Sequence, residues 1–157
     1  MGLETKSDLR KETVEGLQKL IRYNIDSYKG FREAADEVED QRLKSLFTAI
    51  AQERSDFATE LQNFVEWNGQ EAEDDGSVMA AMHRVWIDVR ALFSDGDSYA
   101  ILAEAERGED EIKEAYEEVL KETAGSAMND VLQAQYVNVK KQHDQIRDLR
   151  DAFKAAK

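Results

Sequence analysis

The 157-residue chain contains no cysteine and no proline, and only two histidines and eight glycines. Without cysteine there can be no disulfide framework, no thiolate zinc site, no iron–sulfur cluster and no thiol nucleophile. Without proline, no helix is forced to stop by a missing backbone N–H. Basic residues are the minority: 21 Lys and Arg stand against 34 Asp and Glu, a formal net charge of −13. That balance argues against a protein that grips a phosphate backbone. Long apolar runs are also missing. Mean hydropathy is −0.68 and 35% of residues are charged, so no segment reads as a membrane span. The N-terminus, Met1-Gly2-Leu3-Glu4-Thr5-Lys6, has neither the basic and apolar regions of a signal peptide nor a myristoylation pattern. The expectation is a cytoplasmic protein with no nucleic-acid or membrane partner.

What is present is a good supply of core-forming residues. The apolar fraction is 41%, with 2 Trp, 5 Tyr and 6 Phe, so the acidity does not signal disorder. The length fits one domain, taken as residues 1–157, able to bury a sizeable core unaided. Chain breaks must come from Gly, Asp and Ser clusters. These lie at Gly69 through Asp74-Asp75-Gly76-Ser77, at Ser94-Asp95-Gly96-Asp97-Ser98, and at Ala124-Gly125-Ser126. Asp40 is placed to cap a new helix.

Between the breaks, apolar residues recur at spacings of three and four, the mark of amphipathic helices. The pattern predicts four long helices over about 5–38, 40–68, 97–123 and 126–155, with Thr5-Lys6-Ser7-Asp8 read as a capping box. The stripes include Leu17, Leu20/Ile21 and Phe31; Leu43, Phe47, Ile50, Phe57 and Leu61; Ile101/Leu102, Ala105, Ile112 and Tyr116; and Leu132, Val139 and Ile146. A shorter helix over about 78–93 carries Val78, Met82, Val85, Trp86, Val89 and Phe93 between the second and third long helices. Four long helices with one long central connection predict an all-α, ferritin-like four-helix bundle with a B–C crossover containing a short fifth helix. Trp86, Val89 and Phe93 would let that helix cover a bundle face or form a homo-oligomer interface.

Polar residues interrupt the stripes near mid-helix. Glu53 falls where the second helix expects a core residue, and Glu109 lies between Ala105 and Ile112 on the third. Asn24 sits one turn from Leu20 and Tyr28, and Gln135, Gln142 and His143 lie near the Val139–Ile146 face. A buried carboxylate costs several kcal/mol unless paired, neutralised or bound to a cation. Two readings satisfy it. One is a buried polar layer, with Glu53 and Glu109 hydrogen-bonded to His143, Asn24, Gln142 or a tyrosine hydroxyl. The other is an iron or manganese site clamped by carboxylates and imidazole from facing helices. No Glu-x-x-His occurs, and Arg54 beside Glu53 would repel a cation if it pointed inward. The second histidine, His83, reads as packing beside Trp86 or as a ligand at the bundle edge. The acidic run from Glu104 to Glu118 reads as a solvated face or as an outer site for divalent cations. No phosphate loop, nucleophile triad or EF-hand spacing is found, so no catalytic residue is assigned.

Several segments together resemble a known bacterial family. They are Gly30-Phe31-Arg32-Glu33-Ala34-Ala35-Asp36-Glu37-Val38, Gln52-Glu53-Arg54-Ser55-Asp56-Phe57, Gly76-Ser77, His83-Arg84-Val85-Trp86, Glu106-Arg107-Gly108-Glu109-Asp110, Tyr116 and Gln142-His143-Asp144-Gln145-Ile146. The chain resembles domain-of-unknown-function family 2383 over roughly Leu9 to Leu149. The resemblance implies a ferritin-like bundle and no established reaction. Ferritin-like proteins store iron or reduce peroxides at a di-iron centre, and some have lost the metal. Carried over to this chain, the implied metal residues are Glu53, Glu109 and His143, with Asp56 and Glu106 beside them. In the metal-binding reading, nearby Tyr28 and Tyr116 would relay electrons or protect the site.

Overall fold

The computed structural model describes residues 4–74, 80–92 and 97–155, with the side chains of 80–84 and 90 excepted. It is all-helical, with no strand among the described residues. The helices are α1 (Lys11–Glu37), α2 (Gln41–Trp67), α3 (Ala80–Leu92), α4 (Ser98–Glu122) and α5 (Asn129–Ala155). At 1.5 Å per residue the four long ones measure about 40 Å. The expected positions Gly76, Ser77, Val78 and Phe93 lie outside the described residues, as do the side chains of Met82 and His83.

Local chemistry sets the helix ends. Asp40 caps α2, its Oδ1 accepting from the backbone N–H of Arg42 (2.9 Å) and Leu43 (3.2 Å). Asp97 caps α4 by accepting from Ala100 N–H at 3.2 Å. Gly69 and Gly125 adopt φ of 75° and 79° just beyond α2 and α4, the left-handed geometry that suits glycine at a helix exit.

The first helix starts later than the expected residue 5. Thr5 and Asp8 exchange backbone hydrogen bonds in a tight turn, so Thr5 does not act as a cap. The carboxylate of Glu4 serves α1 instead, accepting from Arg10 N–H and the Thr13 hydroxyl, both at 2.8 Å. Its other oxygen accepts from Ser126 Oγ (2.6 Å) and Ala127 N–H (2.9 Å) in the α4–α5 loop. That loop also delays α5 from the expected residue 126 to Asn129.

Contacts across the bundle give the helix directions. Phe31 packs on Phe47 with ring centroids 5.4 Å apart, and Ser27 meets Arg54, so α1 and α2 are antiparallel. Asn24 meets Tyr116, and a Cβ on Gly16 would touch Val119, so α1 and α4 are antiparallel. Gln135 meets Tyr116 while Arg150 meets Glu106, so α4 and α5 are antiparallel as well. Helices α2 and α4 therefore run the same way, and the chain must travel back along the bundle between them. This is the long crossover expected from the sequence.

Helix α3 lies in that crossover and packs on α1 and α4. Trp86 sits edge-on to Phe31 at 4.8 Å. A Cβ on Gly30 would lie 2.2–2.7 Å from Trp86 ring atoms, so the indole fits only because position 30 has no side chain. Buried Leu17, Leu20, Phe31, Phe47, Leu61, Leu102, Ile112 and Val119 make up much of the core.

Candidate functional site

The centre of the bundle holds an ion pair. Arg54 follows the α2 seam of Phe47, Ile50/Ala51, Ala58, Leu61 and Val65, so the helical period points it inward. Both Arg54 and Glu109 are 0% exposed. The guanidinium grips the Glu109 carboxylate with two parallel bonds, Nη1 to Oε1 and Nη2 to Oε2, each 2.8 Å. This is the planar fork that arginine matches to a carboxylate. Nη1 also donates to Ser27 Oγ (3.1 Å) and Nη2 to Gln142 Oε1 (2.7 Å). Gln142 in turn donates through Nε2 to the half-buried carboxylate of Glu53. Only the Nε–H of Arg54 lacks a partner. Burial works against the arginine's charge, but the adjacent Glu109 carboxylate more than offsets it and holds the guanidinium pKa above its ordinary value.

A second polar rung lies beside the first. Asn24 Nδ2 donates to the Tyr116 hydroxyl (2.8 Å), which donates to Gln135 Oε1 (2.6 Å). Gln135 Nε2 donates to Glu60 Oε1 at 2.8 Å. The two rungs are seven residues apart on α2 (Glu53, Glu60), α4 (Glu109, Tyr116) and α5 (Gln135, Gln142). Each takes a residue from all four long helices, and each ends on an α2 glutamate nearer solvent. Burial raises the Tyr116 hydroxyl pKa, against the lowering effect of the Asn24 hydrogen bond, so the group stays a neutral donor.

The expected metal residues do not gather at one point. Glu109 is committed to Arg54, and Glu53 to Gln142. Asp56 is exposed and accepts from Gln52 Nε2 at 3.0 Å. Glu106 and His143 do meet, but outside the core layer, where the α4–α5 seam reaches the surface. His143 Nε2 lies 3.7 Å from Glu106 Oε1 and 2.7 Å from Oδ1 of Asp110. Of the two tyrosines, Tyr116 belongs to the core rungs, whereas Tyr28 is partly buried and accepts from Arg32 Nη1 at 2.7 Å.

Arg54 and Asp110 were not among the residues expected to form a site. The signal for Arg54 was the Ala51-to-Ala58 spacing, which puts position 54 on the α2 seam. Its charge argued for the surface. The signal for Asp110 was its position four residues after Glu106, on the same face of α4.

A family model agrees with the resemblance over part of the expected span of Leu9 to Leu149, and the α5 segment 142–146 lies beyond the match. No curated protein matches the chain. The family model described as "Domain of unknown function (DUF2383)" matches residues 12–122, from the second residue of α1 to the end of α4, including Arg54 and Glu109. With most of its length covered by that match, the chain belongs to the DUF2383 family.

Proposed function

We propose that this protein is a non-catalytic, ferritin-like helical bundle whose core is neutralised from within, and that it acts through its surface, alone or as a homo-oligomer. The observation that carries this reading is the buried Arg54–Glu109 pair. In a ferritin-like metal protein, carboxylates on facing helices surround hard cations at mid-bundle. Here a guanidinium supplies the positive charge at that level, and its four directed bonds use up the core oxygens a metal would need. Removing Arg54 from the layer would leave Glu109 without its counter-charge. A cation could enter only by displacing the arginine from a fully buried position.

Iron chemistry tests the reading. Protein from iron- or manganese-supplemented growth is assayed for aerobic Fe(II) oxidation and for peroxide-dependent absorbance changes, beside a Glu53→Gln/Glu109→Gln variant. The expected rates equal those of buffer for both proteins. Catalysed oxidation that disappears in the variant would establish the competing reading, an iron-handling oxidoreductase with Glu53 and Glu109 as ligands. Light scattering on the eluting protein reads the oligomeric state.

A further inference from the structure

The seam between α4 and α5 carries a feature that the core does not account for. Glu106 and Asp110 stand one turn apart on α4, and His143 faces them from α5. One ligand atom from each lies within 4.8 Å of the others, the only such convergence of three metal-ligating groups among the described residues. We propose that Glu106 Oε1, Asp110 Oδ1 and His143 Nε2 form a binding site for one divalent transition cation of the zinc, manganese or cobalt class. The site is independent of the core layer and of its non-catalytic reading.

The arrangement of the imidazole carries the inference. His143 is 9% exposed, so its ring has little freedom to turn. Its Nδ1 lies 3.1 Å from Asp144 Oδ1. In the tautomer where Nδ1–H donates to that carboxylate, the Nε2 lone pair faces the α4 side chains, the usual support of a metal-bound histidine. The Nε2 atom lies 2.7 Å from Asp110 Oδ1 and 3.7 Å from Glu106 Oε1. Three ligand atoms converge, and in that tautomer a bound cation relieves the repulsion among their lone pairs.

The surroundings suit a dication. Arg150 pairs with the far oxygen of Glu106, leaving Oε1 turned toward the ring. Arg147 pairs with Asp144 and Asp148, and Arg150 also with Asp151. Five carboxylates thus face two guanidiniums, and the patch stays acidic. Bonds of about 2.1 Å in a tetrahedral shell put ligand atoms about 3.4 Å apart. Small side-chain rotations bring all three to that spacing. Asp110 is half exposed, which opens the site to solvent and leaves room for water in the remaining positions. One nitrogen with two carboxylate oxygens selects this class of cation, since calcium and magnesium prefer all-oxygen shells.

The probe is cobalt(II), followed by zinc(II) and manganese(II), titrated into the full chain with calorimetry and visible absorption. The expected result is one equivalent bound, with cobalt bands of a low-coordinate centre and a raised melting temperature. His143→Gln and Asp110→Asn should each weaken binding at least tenfold, and Asp144→Asn by about tenfold through loss of ring orientation. Asp110 is half exposed, so its variant keeps the fold, as far-ultraviolet circular dichroism will report. Glu53→Gln, which leaves the Arg54–Glu109 pair in place, should bind cobalt as the parent does. Absence of saturable binding overturns the proposal, because the 2.7 Å contact of Nε2 with Asp110 is then an ordinary hydrogen bond. Binding that survives Asp110→Asn and His143→Gln unchanged also overturns it. Failure here leaves the reading of the core intact, since that reading rests on Fe(II) oxidation and on different residues.

Discussion

Replacing Arg54 by Met tests the physical account of the core most directly. The substitution keeps much of the aliphatic volume but removes the guanidinium. Glu109, at 0% exposure, would lose both 2.8 Å bonds and its counter-charge, and the oxygens of Ser27 and Gln142 would each lose a donor. Breaking a buried ion pair from one side costs about 3–5 kcal/mol, a change of roughly two to four orders of magnitude in the unfolding equilibrium. The cost should depend on pH in a definite direction. An uncompensated buried carboxyl has a folded-state pKa above its unfolded value, so the folded variant binds the extra proton. Stability of Arg54→Met relative to the parent should therefore rise as pH falls from 8 toward 5. The companion is Arg54→Met/Glu109→Leu, in which both charges go. Apolar replacement of a whole buried pair is often neutral or stabilising, so the double variant should recover most of the loss. Urea unfolding followed by circular dichroism at several pH values measures all three proteins. A single variant that costs under about 1 kcal/mol, or a double variant no more stable than the single, would refute the reasoning.

Two further outcomes follow from close contacts and shifted groups. Gly30→Ala places a methyl 2.2 Å from the Trp86 ring. It should cost about 1–3 kcal/mol by overpacking and shift tryptophan emission to the red. Gly108→Ala meets its nearest neighbour, Val85, at 3.3 Å and should do much less. The Glu4 carboxyl is held down at about 2. Burial alone would raise it, and donors from Ser126, Arg10, Thr13 and Ala127 more than reverse that. Because the folded pKa is depressed, its stabilisation is present above pH 4.5 and is lost as pH falls toward 2. Glu4→Gln should cost about 1–2 kcal/mol at pH 7, allowing for solvent screening. The difference from the parent should shrink below pH 4.5 and vanish only below about pH 2 in acid-unfolding curves.

The helices were legible because their stripes are long and regular, and because Asp40, Asp97, Gly69 and Gly125 punctuate them. The crossover was legible from the length and amphipathic character of 78–93. The polar residues of the rungs, Asn24, Glu109, Gln135 and Gln142, stood out as interruptions of apolar faces. The nature of the layer was harder to see. Reading the α2 stripe through Phe57 rotates the helix enough to put Glu53 on the core side. Reading it through Ala51, Ala58, Leu61 and Val65 puts Arg54 there instead. Small alanines carry little hydrophobic signal, and the difference of one position exchanges a carboxylate for a guanidinium. The N-terminal turn was missed for a related reason. Thr5-Lys6-Ser7-Asp8 has cap-forming residues, but the donors at the start of α1 are met by Glu4, whose second oxygen is bound across the fold at Ser126 and Ala127.

The Arg54 cluster also bears on time as well as on stability. Its partners are Ser27, Glu109 and Gln142, so the bonds close only when α1, α2, α4 and α5 are all docked. Contacts of such sequence separation are expected to form late, after the chain has met the entropy of closing each loop, and φ-values near zero at Arg54 and Glu109 would bear this out. Interactions absent from the transition state leave the folding rate nearly untouched and act on the rate of opening. The pair would then act as a brake on unfolding, and a chain lacking it would assemble about as fast but come apart sooner.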